Sequence, residues 1–202
     1  MKPLVNIFHG QGDEHHATTS VGGLLSEVER NNIASMAYRV GQSRLPRQAF
    51  IGWHAWDDEP VRQELRPHVK THLGQGDGML VCDPSGFPTS GGASVGVARP
   101  WCGRLGKVDT CPVALDLGDV ARQGHTLVAT RRYLPKAWTK AKARRDKAGV
   151  PHGSRGYRTR HPLALERLTK NGAALPHRWM AGDDERGRPS WCRRRLAPVG
   201  ER

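Results

Sequence analysis

One junction constrains this sequence more than any other. The short apolar run Met79-Leu80-Val81-Cys82 closes on Asp83-Pro84-Ser85-Gly86. Four continuous apolar residues fit a strand buried on both faces. The Asp-Pro-Ser-Gly that follows is turn chemistry. Just ahead lies Gly74-Gln75-Gly76-Asp77-Gly78, a flexible break. We place a domain boundary there: residues 1–77 form a mainly helical N-terminal region and residues 78–202 an α/β domain.

The pattern before the break is helical. Residues 1–19 carry little apolar periodicity and read as a loosely ordered lead-in. From Leu24 to Val40, Leu25, Val28, Ile33, Met36, Ala37 and Val40 share a broad face. Ser26 with Glu29 forms a candidate capping box, and Gly41 stops the helix. A second helix is expected over Glu59–Leu73, with Pro60 in its first turn and Pro67 interrupting or dividing it.

After the break the pattern turns to strands. Ser94–Ala98, Val113–Leu117 and Thr126–Tyr133 read as successive strands punctuated by Gly103, Gly106, Gly118 and Gly124. Together with the Asp83 strand they suggest an antiparallel meander. Lys136–Lys147 is a basic helix or loop, and 150–161 is a loop. His161–Asn171 is an amphipathic helix that buries Leu163, Leu165 and Leu168 and stops at Gly172. Trp179-Met180-Ala181 then runs into Gly182-Asp183-Asp184.

The formal net charge is +13, which predicts attraction to polyanions, nucleic acid first. No apolar run approaches the roughly 18–20 residues of a membrane span, and no signal-peptide layout opens the chain. The expected location is therefore the cytoplasm, associated with the nucleoid and without a membrane partner. Cys82, Cys102, Cys111 and Cys192 include no CxxC pair and read as reduced, buried thiols rather than a zinc site.

Two runs share one design: a short strand delivers an aspartate at its C-terminal end, Asp83 first and Asp183 later. A carboxylate held there is rigid and can still face solvent. Two such strands side by side would gather hard oxygen ligands suited to Mg²⁺ or Mn²⁺. A two-metal site of that kind activates an attacking oxygen and stabilises the leaving oxygen of a phosphodiester. Taken alone, either aspartate is as readily a turn residue. The order of elements is acid-bearing strand, meander, helix, second acid-bearing strand. It matches a ribonuclease-H-like core, a mixed sheet with flanking helices, although fold alone does not fix function.

Longer stretches carry a resemblance. They are Gly23-Leu24-Leu25-Ser26-Glu27-Val28-Glu29-Arg30-Asn31, Asp83-Pro84-Ser85-Gly86-Phe87-Pro88, Ala93-Ser94-Val95-Gly96-Val97-Ala98-Arg99, Trp101-Cys102-Gly103-Arg104-Leu105-Gly106-Lys107-Val108, Tyr133-Leu134-Pro135-Lys136-Ala137-Trp138 and Ala181-Gly182-Asp183-Asp184-Glu185. From about Leu24 onward the chain resembles the DDE superfamily endonucleases found as bacterial insertion-sequence transposases. The resemblance implies metal-dependent DNA strand cleavage and transfer, with transposon ends and target DNA as partners and a homo-oligomer or an intact transposase as a further one. It aligns Asp83 with the first carboxylate of the triad and Asp183 with the second, Asp184 being the adjacent competitor. The family's third residue is a Glu well beyond the second Asp. Only Glu185 and Glu201 follow Asp183 before Arg202. The expectation is therefore an incomplete core in a truncated, catalytically impaired chain. The alternative is a non-catalytic DNA-binding remnant that inhibits intact transposase. Thr89, Pro100 and Pro112 stand where the resemblance leads us to expect Lys, Gln and Gln.

The basic stretch supplies the DNA-binding candidates Lys136, Trp138, Lys140, Lys142, Arg144 and Arg145. Its cations suit the phosphate backbone. Trp138 has two readings: it stacks on an unpaired base, or it packs in a minor core.

Overall fold

In a computed structural model, the described residues are 8, 11–29, 32–52 and 57–182. Contacts divide the chain into two compact units, Met1–Glu64 and Leu65–Arg202.

The first unit is helical: α1 (Gln11–Leu24), α2 (Ile33–Arg39), α3 (Arg44–Gly52) and the start of α4 (Glu59–His72). The single helix expected over Leu24–Val40 is instead the end of α1, an irregular link and α2. The reason is local hydrogen bonding. The Ser26 hydroxyl donates back to Gly23 O at 2.7 Å, so it closes α1 and does not open a capping box. The side chain of Asn32 accepts the Ser35 N–H at 2.9 Å and starts α2. Much of the expected lead-in is helical as well, because α1 begins at Gln11. Gly41 does end α2, at φ +65°. Met36, Ala37 and Phe50 are buried here.

The second unit is built on a four-stranded sheet in the order β5-β4-β1-β6. Its strands are β1 (Met79–Gly86), β4 (Val113–Ala121), β5 (Gly124–Arg132) and β6 (Trp179–Gly182). The first three form an antiparallel meander, and β6 joins β1 in parallel. A separate hairpin of β2 (Trp101–Cys102) and β3 (Lys107–Val108) occupies the excursion between β1 and β4. Ser94–Ala98 is not a strand of the meander. Val97 N–H closes a turn onto Ser94 O, and Ala98 makes one isolated bridge to Cys111. Gly96, at φ +78°, reverses the chain there, and a Cβ on it would lie 2.9 Å from Tyr133 O.

One face of the sheet is covered. Leu80 and Cys82 of β1, Leu117 of β4, and Val128 and Ala129 of β5 pack against Val69 of α4. Ala164 and Leu168 of α7 (Arg160–Asn171) and Leu175 complete this core. Leu65, Val69 and Leu73 recur at four-residue steps, which turns one side of the α4 segment onto the sheet. That packing carries α4 through Pro67, which neither ends nor divides it. Gly172, just after α7, cannot be larger, because a Cβ would sit 2.9 Å from Leu80 Cδ1. Between β5 and α7 the basic stretch forms two short helices, α5 (Lys136–Lys140) and α6 (Lys142–Lys147). This is an α/β fold with a mixed sheet flanked by helices and preceded by helices, consistent with a ribonuclease-H-like core. No helix among the described residues is long and apolar enough to cross a membrane.

Candidate active site

The candidate site lies on the face of the sheet opposite the core, which no described helix of the core cluster covers. Side chains alternate along a strand, so Leu80 and Cys82 point into the core while Val81, Asp83 and Ser85 share the other face. Asp83 is exposed on that face. Its partner directly across the β1–β4 ladder is Asp116. The Phe87 N–H donates to Pro112 O at 3.0 Å. Because an antiparallel ladder alternates, Asp83 and Asp116 then form a hydrogen-bonded pair, with Cα atoms about 5.5 Å apart and both side chains on one face. Two carboxylates are therefore neighbours without being close in sequence.

Asp116 is further fixed by the next strand. It pairs with Thr130 of β5, whose hydroxyl donates to Asp116 Oδ1 at 2.5 Å. One carboxylate oxygen is thereby oriented, and a second carboxylate stands directly opposite Asp83 across the ladder.

Pro84 explains where the β1 ladder can change. Its missing N–H falls on the side of β1 away from β4, since 84/115 is a non-hydrogen-bonded pair on that ladder. That side is β6's, whose described residues pair with β1 as far as Cys82↔Gly182. Asp83 is the residue of β1 that follows the last described pair with β6.

Sequence reasoning named Asp83 as a candidate and did not name Asp116. Asp183 and Asp184 lie outside the described residues. Among the described residues, no group of three or more His, Cys, Asp or Glu side chains converges.

The basic candidates sort into two kinds. Lys136, Lys140 and Lys142 are exposed. Arg145 donates to Trp138 O and Thr139 O, and Arg144 donates to Gly92 O at 2.7 Å, so both tie down main chain. Trp138 is fully enclosed, at 0 % exposure. Its Nε1 donates to Val97 O at 2.8 Å, and the Arg144 guanidinium lies 3.9 Å from its ring centroid. Of its two sequence readings, the packed ring is the one observed, and the ring offers no open face to a base. Cys82, Cys102 and Cys111 are buried and form no disulfide among the described residues; Cys192 lies outside the described residues.

Comparison with known proteins gives one match that covers most of the chain. A family model described as DDE superfamily endonuclease matches residues 3–187. No curated protein and no solved structure matches the chain.

Proposed function

This chain belongs to the DDE superfamily endonucleases, and from that premise we propose that it acts on DNA as a transposase of insertion-sequence type, cleaving a strand and transferring it to target DNA. The observation that carries the reading is the Asp83–Asp116 pair on the sheet face opposite the core. Endonucleases of this superfamily generally use divalent metal. The donors fit a hard cation, because both are carboxylates, accessible from one side and held by strands rather than loops. The family resemblance assigns the second carboxylate to Asp183, with Asp184 the adjacent competitor. On this reading Asp83 and Asp183 hold Mg²⁺ or Mn²⁺, and Asp116 lies within reach of the same ions.

When bound, such ions would stabilise charge at the attacking and leaving oxygens of a phosphodiester. The chain's own contribution is placement. The ladder fixes the spacing of Asp83 and Asp116, and the Thr130 hydroxyl holds one oxygen of Asp116 so that the other is left to point outward. Lys136, Lys140 and Lys142 supply cations for the phosphate backbone.

The test is nicking of supercoiled plasmid by the purified chain in Mn²⁺ and in EDTA. Nicking that needs the metal and disappears in Asp83→Ala supports the reading. Equal nicking by Asp83→Ala overturns it. Salt-sensitive DNA binding without any cutting would leave a non-catalytic DNA-binding protein in its place.

A further inference from the structure

The free edge of the sheet carries a second basic feature, separate from α5 and α6. β5 is the outer strand on the side away from β6. Beside its end lies a cleft of about 60 Å³. Arg131, Arg132 and Leu134 line it together with Gly153, Ser154, Gly156, Arg158 and Leu163. The volume suits a single tetrahedral oxyanion group better than a base or a sugar.

Charge points the same way. Arg131 donates to the Ser154 hydroxyl at 3.3 Å. That bond links the strand to the loop without neutralising the guanidinium. Among the described residues, neither Arg131 nor Arg132 makes an ion pair. Arg158 does, with Glu166. Glu166 is also held by Arg167 at 2.6 Å, so one carboxylate serves two guanidiniums. The cleft therefore keeps a clear positive excess. Arg155, next along the loop, is anchored to Asp146 at 2.7 Å and to Val150 O at 2.8 Å. The loop is thus pinned at its base, and its cleft side is presented ready-made. Guanidiniums offer paired, planar N–H donors that match two oxygens of a phosphate.

We infer that this cleft is a phosphate-binding site that holds a backbone phosphate of the DNA on which the sheet acts. Arg132 pairs with Ala114, and Thr130 pairs with Asp116, so Arg132 lies two residues along β5 from the carboxylate pair and on the same face, while Arg131, paired with Leu115, reaches the cleft from the core side. A phosphate seated there would fix the path of a strand relative to Asp83 and Asp116. The inference rests on the reading that the chain binds DNA. The shared chemistry is a phosphate group, whose source is either a nucleic-acid backbone or free phosphate.

The experiment measures binding of a fluorescein-labelled DNA duplex by anisotropy across a salt series. It compares the full chain with Arg131→Gln/Arg132→Gln, with Arg132→Gln alone and with the double Arg→Lys variant. Circular dichroism and melting verify the fold. Arg132 is exposed and makes no ion pair among the described residues, so Arg132→Gln keeps the test open if the double variant misfolds. Each lost phosphate contact lowers the slope of log K against log salt by about 0.9. The double Gln variant should therefore lose about one unit of slope and bind at least about tenfold more weakly, and Arg132→Gln should show a smaller loss of the same kind. The Lys variant should keep the slope and recover part of the affinity. An unchanged slope and affinity in the folded Gln variants would overturn the site. A second arm titrates inorganic phosphate. If phosphate binds the parent chain and not the Gln variant while the DNA slope stays the same, the cleft takes free phosphate and the inference fails. If the parent chain itself binds no DNA, the functional reading fails first, and that outcome is distinct from the others.

Discussion

The two faces of the central sheet are made from the same strands and serve opposite ends. β4 shows this best, because it places an aspartate on each. Asp116 lies on the uncovered face, opposite Asp83 and bonded by Thr130. Asp119 lies on the covered face, opposite Leu80, at 0 % exposure. The covered face is otherwise apolar and gains its stability from burial. The other face leaves Val120, Leu127 and Trp179 exposed among the described residues, a poor contribution to stability. The contrast teaches that residue type alone says little here, and that the side of the strand decides what an aspartate does.

The largest expected effect separates the faces outright. Asp83→Ala should reduce metal-dependent nicking to background and leave the melting temperature nearly unchanged, because exposed substitutions cost within about 0.5 kcal/mol. Leu117→Ala, on the other face, should do the reverse in origin. Leu117 is fully buried in the core, so its truncation should cost about 2–5 kcal/mol. At roughly 2–4 °C per kcal/mol for a chain of this size, melting should fall by on the order of 10 °C, with activity per folded molecule retained at low temperature. If Asp83→Ala instead melts like Leu117→Ala, the two faces are not functionally distinct.

A finer effect tests Asp116. Asp116→Asn keeps the shape and the Thr130 bond while removing one charge beside Asp83. The Mn²⁺ concentration giving half-maximal nicking should rise by about tenfold, in line with the cost of disturbing groups around a metal. The melting temperature without metal should rise slightly, since a like-charge pair is relieved. An unchanged metal dependence would return Asp116 to the role of a strand residue that happens to be acidic.

These contrasts also show what could be read from the sequence. The Met79–Cys82 run announced β1 and delivered Asp83 because four apolar residues before a turn leave few alternatives. The leucines of α7 were legible because helical spacing put Leu163, Leu165 and Leu168 on a buried side. Helix α1 was not legible, since its apolar residues trace no stripe. The break between α1 and α2 depended on which carbonyl Ser26 bonds, which periodicity does not record. Asp116 was hidden for a related reason. It sits inside an apolar strand, and only the register against β1 makes it a neighbour of Asp83. Trp138 was ambiguous until Val97 O and Arg144 were placed around it. The family resemblance reached further than periodicity, because extended stretches of matching residues carry information that local spacing lacks.

The smallest effect concerns the covered face and depends on pH. Both Asp119 carboxylate oxygens are buried without a hydrogen-bond partner among the described residues. Burial raises its pKa, with the nearby His177 pulling the other way. A carboxyl whose folded pKa exceeds its unfolded value favours the fold while protonated. That contribution is complete below the unfolded pKa, about 3.9, and is lost as pH rises through the folded value. Asp119 should therefore weaken the fold at neutral pH, and Asp119→Asn should relieve it. At pH 7 the variant should melt higher by a few degrees, corresponding to about 1–2 kcal/mol for an unpaired buried polar group. Near pH 3.5 the gap should close, because the parent side chain is then neutral as well. Paired melting curves at the two pH values decide the matter. A constant difference across pH would mean that Asp119 carries no buried charge penalty, and that the covered face is less dry than its packing indicates.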